Sequence, residues 1–262
     1  MNRKNLYCFS GLVVMLATIT GCGLSGPAVP TVDSSARGTA LAATALSFGT
    51  ATFTPAPTET PIPTPKISVY GTSLIINADQ SATFIDHKAG IQLTIPAGWL
   101  PIRVNEDEFY KAYSLDVVVQ NPAIADRLTT TQSANLDFHR LDAIDIRDGH
   151  IPNGIITVIN VVFQENDRRS LEDLYKAESR RKKPFFGYKF ITANYPYLDD
   201  GTRVLQIEEK WDGETGVIYY RGVFFSLPSG AFALDFYTDM DFKDTVLPDF
   251  EQVIKSLTLL NP

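Results

Sequence analysis

The most chemically distinctive stretch of the sequence combines cations with aromatic rings. Together such groups can hold an anionic lipid headgroup, an acidic polymer of the cell envelope or a stacked ring. The end of a helix is a simpler explanation of the same pattern, because cations stabilise the negative C-terminal dipole and the rings can enter a core. The candidate binding surface consists of Arg180, Arg181, Lys182, Lys183, Phe185, Phe186 and Tyr188.

Carboxylates and a histidine are densest between residues 142 and 150. A hard cation such as Ca²⁺ needs several carboxylates that converge on one point. Asp142 and Asp145 lie an odd number of positions apart on a predicted strand, so their side chains should point to opposite faces. We therefore interpret these two residues, with Asp148 and His150, as polar residues at a strand end and in its loop.

No other pattern in the sequence indicates catalysis or a cofactor. Glu208 and Glu209 are adjacent on a predicted strand and should face opposite ways, whereas paired acid–base carboxylates lie ~5–9 Å apart across a cleft. His87, His139 and His150 lack the spacing of a zinc site. Nucleophile-elbow, phosphate-loop and dinucleotide-binding motifs are absent from the sequence. We predict no enzymatic activity, no metal and no cofactor.

The first 21 residues have the pattern of a secretory signal. Arg3 and Lys4 precede an apolar segment from Leu6 to Ile19, which is shorter than the ~20 residues of a membrane-spanning helix. Glycine and proline between residues 21 and 30 disfavour an uncleaved anchor helix. No cysteine follows Cys22, so the folded part has no disulfide.

The end of this leader, Ile19-Thr20-Gly21-Cys22, resembles the lipobox of bacterial lipoproteins. The resemblance implies cleavage before Cys22, a diacylglycerol on its thiol and a further acyl chain such as palmitate on its amino group. Two or three acyl chains at ~0.8 kcal/mol per buried methylene give a durable membrane anchor. An ordinary cleaved signal with an incidental cysteine is the alternative. We predict a lipid-anchored protein on the extracytoplasmic face of the cell membrane.

Residues 22–66 are predicted to form a disordered tether. Proline and threonine dominate this stretch, which ends in TPAPTETPIPTP. Proline fixes φ and removes hydrogen-bond donors, so the tether favours extended polyproline II. Its low apolar content cannot offset the entropy of folding. Threonine- and proline-rich segments of this kind space a domain from a membrane and can carry O-linked sugar.

The remaining residues, 67–262, are predicted to form a single globular domain. The chain of 262 residues is 44% hydrophobic and has a formal net charge of −7 at pH 7. Cleavage of the leader removes Arg3 and Lys4 and makes the chain more acidic still. An acidic chain is a poor general binder of nucleic acid, because that binding depends on neutralising phosphates.

Short β-branched and aromatic runs alternate with turn residues through this domain, which predicts an antiparallel sheet flanked by helices, an α+β fold. Helices are predicted over 106–119, from Asn121-Pro122, after the capping box at Ser170, and near the C-terminus with Pro248 at the first position or at a kink. Strands are predicted over 82–86, 91–95, 136–146, 155–164, 188–194, 203–211, 217–226 and 232–237.

Two segments resemble the Mog1/PsbP-like fold, an α/β/α sandwich. They are the hairpin ending IQLTIPAGW at 91–99 and the closing unit FALDFYTDMDFKDTVLPDFEQVIKSLTLL at 232–260. The stretch from 106 to 132 departs from the simplest members by a two-helix insertion. The resemblance implies an assembly or binding module without catalysis, although a shared fold does not by itself transfer function.

Taken together, these features favour a membrane-tethered lipoprotein whose domain binds another envelope component, either a protein or a polymer. An envelope hydrolase or a solute-binding lipoprotein, with a site assembled only by the fold, is the alternative. A pocket with convergent polar groups would favour an enzyme. An exposed apolar patch would favour a protein-binding module.

Lipid anchoring makes a direct prediction. Replacing Cys22 with alanine removes the thiol that would carry the acyl chains, so we expect Cys22→Ala to release the protein from membranes. Fractionation of membranes and mass spectrometry of the N-terminal peptide measure this change. Continued membrane retention of the variant, or a native peptide that still begins at Met1, would contradict lipid anchoring.

Overall fold

The computed structural model describes residues 67–104, 106–134, 137–180 and 185–260. The helices are α1 (Asp107–Ala112), α2 (Asp116–Gln120), α3 (Pro122–Ala134), α4 (Leu171–Ser179) and α5 (Lys243–Ser256). The strands are β1 (Thr72–Ile76), β2 (Ala82–Asp86), β3 (Ile91–Ile95), β4 (Trp99–Ile102), β5 (His139–Asp145), β6 (Val158–Glu165), β7 (Lys189–Asn194), β8 (Leu205–Asp212), β9 (Val217–Leu227), β10 (Gly230–Asp239) and β11 (Thr258–Leu259).

These strands form two antiparallel sheets. The smaller sheet has the order β1-β2-β3-β11, and the larger has the order β4-β5-β6-β10-β9-β8-β7. Consecutive strands pair as hairpins along most of the larger sheet, which is the arrangement that tight turns favour. Strand β11 returns from the end of the chain to pair with β3.

The main core lies between the two sheets. On β10, Phe232, Leu234 and Phe236 share one face by the two-residue period of a strand, and that face is buried. Helix α5 and the smaller sheet cover it together. Phe250 of α5 stacks on Phe236, with ring centroids 4.9 Å apart and planes 15° apart. Phe84 of β2 is fully buried in the same cluster.

Helices cover the opposite face of the larger sheet. At one end, residues of α1 to α3, such as Phe109 and Leu128, pack on Ile144 of β5. At the other end, Leu174 of α4 packs against Phe224 of β9. The larger sheet therefore has helices on one side, and the smaller sheet with α5 on the other. The predicted α+β class, an antiparallel sheet flanked by helices, is confirmed.

Several local predictions are confirmed in detail. The hairpin of β2 and β3 has the predicted ends, and its turn is closed by Asp86, whose Oδ1 accepts from the backbone N–H groups of Lys88 and Ala89 at 2.9 and 2.8 Å. At the start of α4, Ser170 Oγ accepts from the backbone N–H of Asp173 at 3.1 Å, as a capping box requires.

Some predicted elements differ from the structure. The helical stretch predicted over 106–119 forms two short helices, because Ser114 Oγ bonds the Lys111 carbonyl at 2.8 Å and the chain leaves the helix there. Strands β1, β4 and β11 were not predicted. Strand β4 begins directly after the turn at Pro96–Gly98, which moves the chain from one sheet to the other. Pro248 lies inside α5, so its predicted placement at the first position was wrong, while the alternative of a kink stays a prediction.

A buried ion pair connects the two sheets. Arg140 Nε on β5 lies 3.4 Å from Asp86 Oδ2 on β2, and both side chains are almost fully buried. The guanidinium carbon lies 5.4 Å from the centroid of the Phe163 ring. Burial raises the pKa of Asp86, while the backbone bond from Ala89 and the charge of Arg140 lower it. Removing either partner would leave a buried charge uncompensated.

The fold predicts where the independent domain begins. Ser68 closes the first described turn, its backbone N–H donating to the Thr72 carbonyl at 2.8 Å. A fragment that begins at Ile67 keeps this turn, so we expect it to be soluble and to unfold in one cooperative transition in urea, monitored by tryptophan fluorescence and near-UV circular dichroism. A control fragment that begins at Leu93 lacks β1 and β2 and should not fold. Aggregation of the longer fragment would place the boundary elsewhere.

Candidate functional site

The structure describes only part of the predicted binding surface. Arg180 is the C-terminal cap of α4, next to the last helical residue. Phe186 is 84% exposed, a large apolar side chain in solvent. Arg181, Lys182 and Lys183 lie outside the described residues. Of the predicted surface, the structure therefore describes Arg180 at the end of α4 and the aromatic residues Phe185, Phe186 and Tyr188.

An aromatic cluster holds the segment that carries Phe186. The ring of Phe185 stacks on Trp211 of β8, with centroids 4.9 Å and planes 22° apart. Trp211 is buried and lies 6.3 and 6.1 Å from the rings of Tyr220 and Tyr237. Stacked and edge-to-face rings of this kind each contribute about 0.5–1.5 kcal/mol. Phe185 thus enters the folded body, as the helix-end interpretation predicts, while Phe186 remains outside.

Tyr188 makes a second attachment on the same side of β8. Its hydroxyl donates to Glu209 Oε1 at 2.9 Å. Burial raises the pKa of Tyr188, and the Glu209 carboxylate raises it further, so the hydroxyl stays protonated and keeps donating. The segment between α4 and β7 is therefore attached on both sides of Phe186.

Strand β7 follows directly and forms the outer edge of the larger sheet. Among the described residues it pairs only with β8. Its backbone register shifts between Phe190 and Thr192, which makes Ile191 a bulge residue. Phe190 is 37% exposed and Ile191 is 40% exposed. We call Phe186 and the strand Lys189–Asn194 together the β7 edge.

The carboxylates between 142 and 150 are engaged with neighbouring side chains. Asp142 accepts from Arg127 Nη2 at 2.9 Å and from Thr131 Oγ1 at 3.0 Å, and it lies 3.0 Å from His139 Nε2. Arg127 also donates to Asn160 at 2.7 Å. Burial raises the pKa of Asp142, but Arg127 and His139 lower it by more and hold it well below its ordinary value. This network fixes α3 to β5 and β6.

Asp145 belongs to a different group, on the other face of β5. Its carboxylate accepts from Arg147 Nε at 2.8 Å and lies 2.7 Å from His150 Nδ1. Arg147 also bonds Asp249 of α5. Asp148 is exposed. Asp142 and Asp145 are therefore separated, as the odd spacing predicted, and they support two different helices.

The remaining candidates are also held by neighbours. Glu208 pairs with Arg221 at 3.0 Å, while Glu209 faces Tyr188 on the other side of the sheet. His87 lies 3.1 Å from Ser73 Oγ in the smaller sheet. Within the described residues, no group of three or more histidine, cysteine, aspartate or glutamate side chains is placed to hold a metal ion.

Most of the candidate carboxylates contact cations or hydroxyls that hold neighbouring elements on the sheet, whereas Asp148 is exposed. The β7 edge offers exposed apolar side chains beside backbone groups at the margin of a sheet, and these are the two components that bind an extended peptide.

Sequence reasoning found Phe186 but missed Phe190 and Ile191. Both lie in a run that reads as an ordinary strand, and the strand order of a sheet cannot be deduced from local composition. Lys189 was the sequence feature that could have indicated an edge strand, since lysine is enriched on such strands.

Comparisons with known proteins give structural neighbours only. No protein-family model matches the chain. No curated protein matches it either.

Solved structures that resemble the chain in backbone arrangement include the following two. One is the cyanobacterial PsbP (CyanoP) of Synechocystis sp. PCC 6803, with 14% identity and a TM-score of 0.42, covering 70% of this chain and 95% of that chain. The other is LpqN of Mycobacterium tuberculosis, described as involved in cell envelope biogenesis, with 11% identity and a TM-score of 0.44, covering 72% of this chain and 91% of that chain. No function is transferred from either.

The predicted membrane attachment lies outside the described residues. Cys22, the predicted lipid attachment residue, and the tether over 22–66 are outside the described residues. Within the described ranges, no helix is both long enough and apolar enough to cross a membrane.

The Asp142 network predicts a pH-dependent contribution to stability. Because the pKa of Asp142 is lower in the folded chain than its unfolded value near ~3.9, the stabilisation is present above about pH 4 and is lost as the pH falls further. Asp142→Asn leaves Arg127 without its carboxylate, so we expect the free energy of unfolding at neutral pH to fall by about 3 kcal/mol. Urea denaturation at pH 7 and at pH 3 measures both effects.

Asp148→Asn is the matched control, since Asp148 is exposed on the same segment. It should change the free energy of unfolding by less than about 0.5 kcal/mol. The pH dependence below pH 4 should be weaker in Asp142→Asn than in the wild type. Equal stability of Asp142→Asn and wild type at pH 7 would show that the network is not stabilising.

Proposed function

We propose that the chain is a membrane-tethered extracytoplasmic lipoprotein whose globular domain is a non-enzymatic binding or assembly module for another envelope component. The observation that carries the proposal is the exposed β7 edge, with Phe186 held in solvent between Phe185 and Tyr188, which are both attached to β8. Binding surfaces are enriched in aromatic residues, and a few such residues provide most of the binding energy.

The attachment of Phe186 favours recognition over chance exposure. Phe185 on one side and Tyr188 on the other are fixed to β8, so little conformational freedom remains for the residue between them to lose when a partner binds. Burying an exposed phenylalanine contributes about 1.5–3 kcal/mol. A partner that buries both Phe186 and Phe190 would gain binding free energy from both side chains.

A tether suits this role. Extended polyproline II adds ~3.1 Å per residue, so residues 22–66 could place the domain up to roughly 140 Å from the membrane. Attachment to the same membrane as its partner raises the effective concentration of the domain without any new contact. The module would therefore sample partners in the envelope while it stays at the cell.

Phe186→Ser tests the proposed surface. We expect the wild-type chain, used as bait in native envelopes, to recover a component whose yield falls at least about tenfold with Phe186→Ser, because about 1.4 kcal/mol of binding energy corresponds to tenfold. Quantitative mass spectrometry of crosslinked material measures the yield. Tyr110→Ser is the matched control, since Tyr110 is 56% exposed on α1. Equal recovery with Phe186→Ser and wild type would refute the surface.

A further inference from the structure

Two lysines face each other at the start of β7. Lys189 is the register partner of Lys210 on β8, so their side chains lie on the same face of the sheet in directly opposed positions. Neither ammonium group forms an ion pair with any residue that the structure describes. Like charges in opposed positions destabilise a sheet. A carboxylate brought beside them would relieve that repulsion.

This positive spot stands out on an acidic chain. The formal net charge is −7 at pH 7, and the neighbouring carboxylate of Glu208 on the same face is engaged by Arg221. Asp212 lies two positions further along β8 on the same face, but within the described residues no ion pair joins it to either lysine. The lysine pair can therefore still accept a carboxylate from outside.

The two faces of β7 differ in character. The register places Lys189, Thr192 and Asn194 on the same face as the even-numbered residues of β8. Phe190 and Ala193 lie on the other face. An eighth strand that continued this sheet would therefore match best with acidic or polar residues on one face and apolar residues on the other.

The opposite edge of the larger sheet is blocked in a way that β7 is not. Strand β4 contains Pro101, which has no backbone N–H to donate, and helix α1 packs beside it. Strand β7 contains no proline, and its first three residues, Lys189, Phe190 and Ile191, are exposed. A bulge at Ile191 and the charge of Lys189 guard β7 against non-specific pairing, so an added strand must supply complementary charge. Of these two edges, β7 is nevertheless the one whose backbone donors are not removed by proline.

We propose that the β7 edge binds an extended acidic segment of a partner protein as an eighth strand of the larger sheet. Its carboxylates would face Lys189 and Lys210, and its apolar side chains would lie beside Phe190. The proposal rests on the proposed function and adds the chemistry of the partner. A second copy of the chain fits less well, because it would bring another lysine pair and the same net negative charge.

Synthetic peptides test this chemistry on the full chain in detergent micelles. The acidic probe is a labelled peptide of about ten residues that alternates glutamate with valine and threonine. The basic probe replaces each glutamate with lysine, and the third probe is the acidic peptide with alternate backbone amides methylated. Fluorescence anisotropy at low and high salt measures binding.

We expect the acidic peptide to bind at least about tenfold more tightly than the basic one at low salt, with the difference shrinking at high salt as the charges are screened. Methylation should abolish binding, because it removes the ladder hydrogen bonds. Lys189→Glu should lower the affinity for the acidic peptide by about threefold to tenfold and raise the affinity for the basic peptide. Lys88→Glu, an equal change of charge on the β2–β3 turn, should leave both affinities unchanged.

Three outcomes would overturn the proposal. Equal affinities for the acidic and basic peptides would remove the charge argument, and undiminished binding of the methylated peptide would remove strand addition. Lys189-dependent binding of phosphatidylglycerol in mixed micelles, with no peptide preference, would make a lipid the occupant. If Phe186→Ser lowers partner recovery while the acidic peptide is not preferred, the binding module stands and only its partner chemistry is wrong; unchanged recovery would instead refute the module itself.

Discussion

The width of the larger sheet governs the rest of the structure. Seven strands at ~4.8 Å spacing extend roughly 29 Å from β4 to β7, whereas a single helix covers about 10 Å. One helix is therefore too narrow to cover the sheet. Several helices cover one face, and a second sheet and α5 cover the other. These covering elements bury β5, β6, β9 and β10 and leave Lys189–Asn194 as the most exposed strand of the larger sheet.

Charge is used inside this body for orientation. Asp142 binds α3 through Arg127, Asp145 reaches α5 through Arg147, and Asp86 meets Arg140 between the sheets. Buried pairs of this kind contribute little net stability over an apolar core, but they penalise misplacement strongly because a separated partner stays charged. The covering layers are thereby held at defined positions. The position of the β7 edge, which these layers leave exposed, is fixed as a result.

The sequence was a good guide where local chemistry decides the outcome. The β2–β3 hairpin, the capping box at Ser170 and the opposed faces of Asp142 and Asp145 follow from turn residues, side-chain acceptors and strand period. The sequence was a poor guide where contacts between residues far apart in the chain decide the structure. The split of the 106–119 helix, the existence of β4 and the edge position of Phe190 depend on which elements pack together, and no short window of sequence encodes that.

The pairing of β11 with β3 has a consequence for biogenesis. Leu259 lies beside Ile91, and Ser256 Oγ accepts from the backbone N–H of Thr94 at 2.8 Å, so the smaller sheet needs the last residues of the chain to be complete. Contacts between distant parts of a sequence form late and slow folding. A polypeptide emerging from a ribosome would lack this pairing until residues 258 and 259 had left the exit tunnel. The smaller sheet therefore stays one strand short until then, and β3 keeps an unpaired side during synthesis.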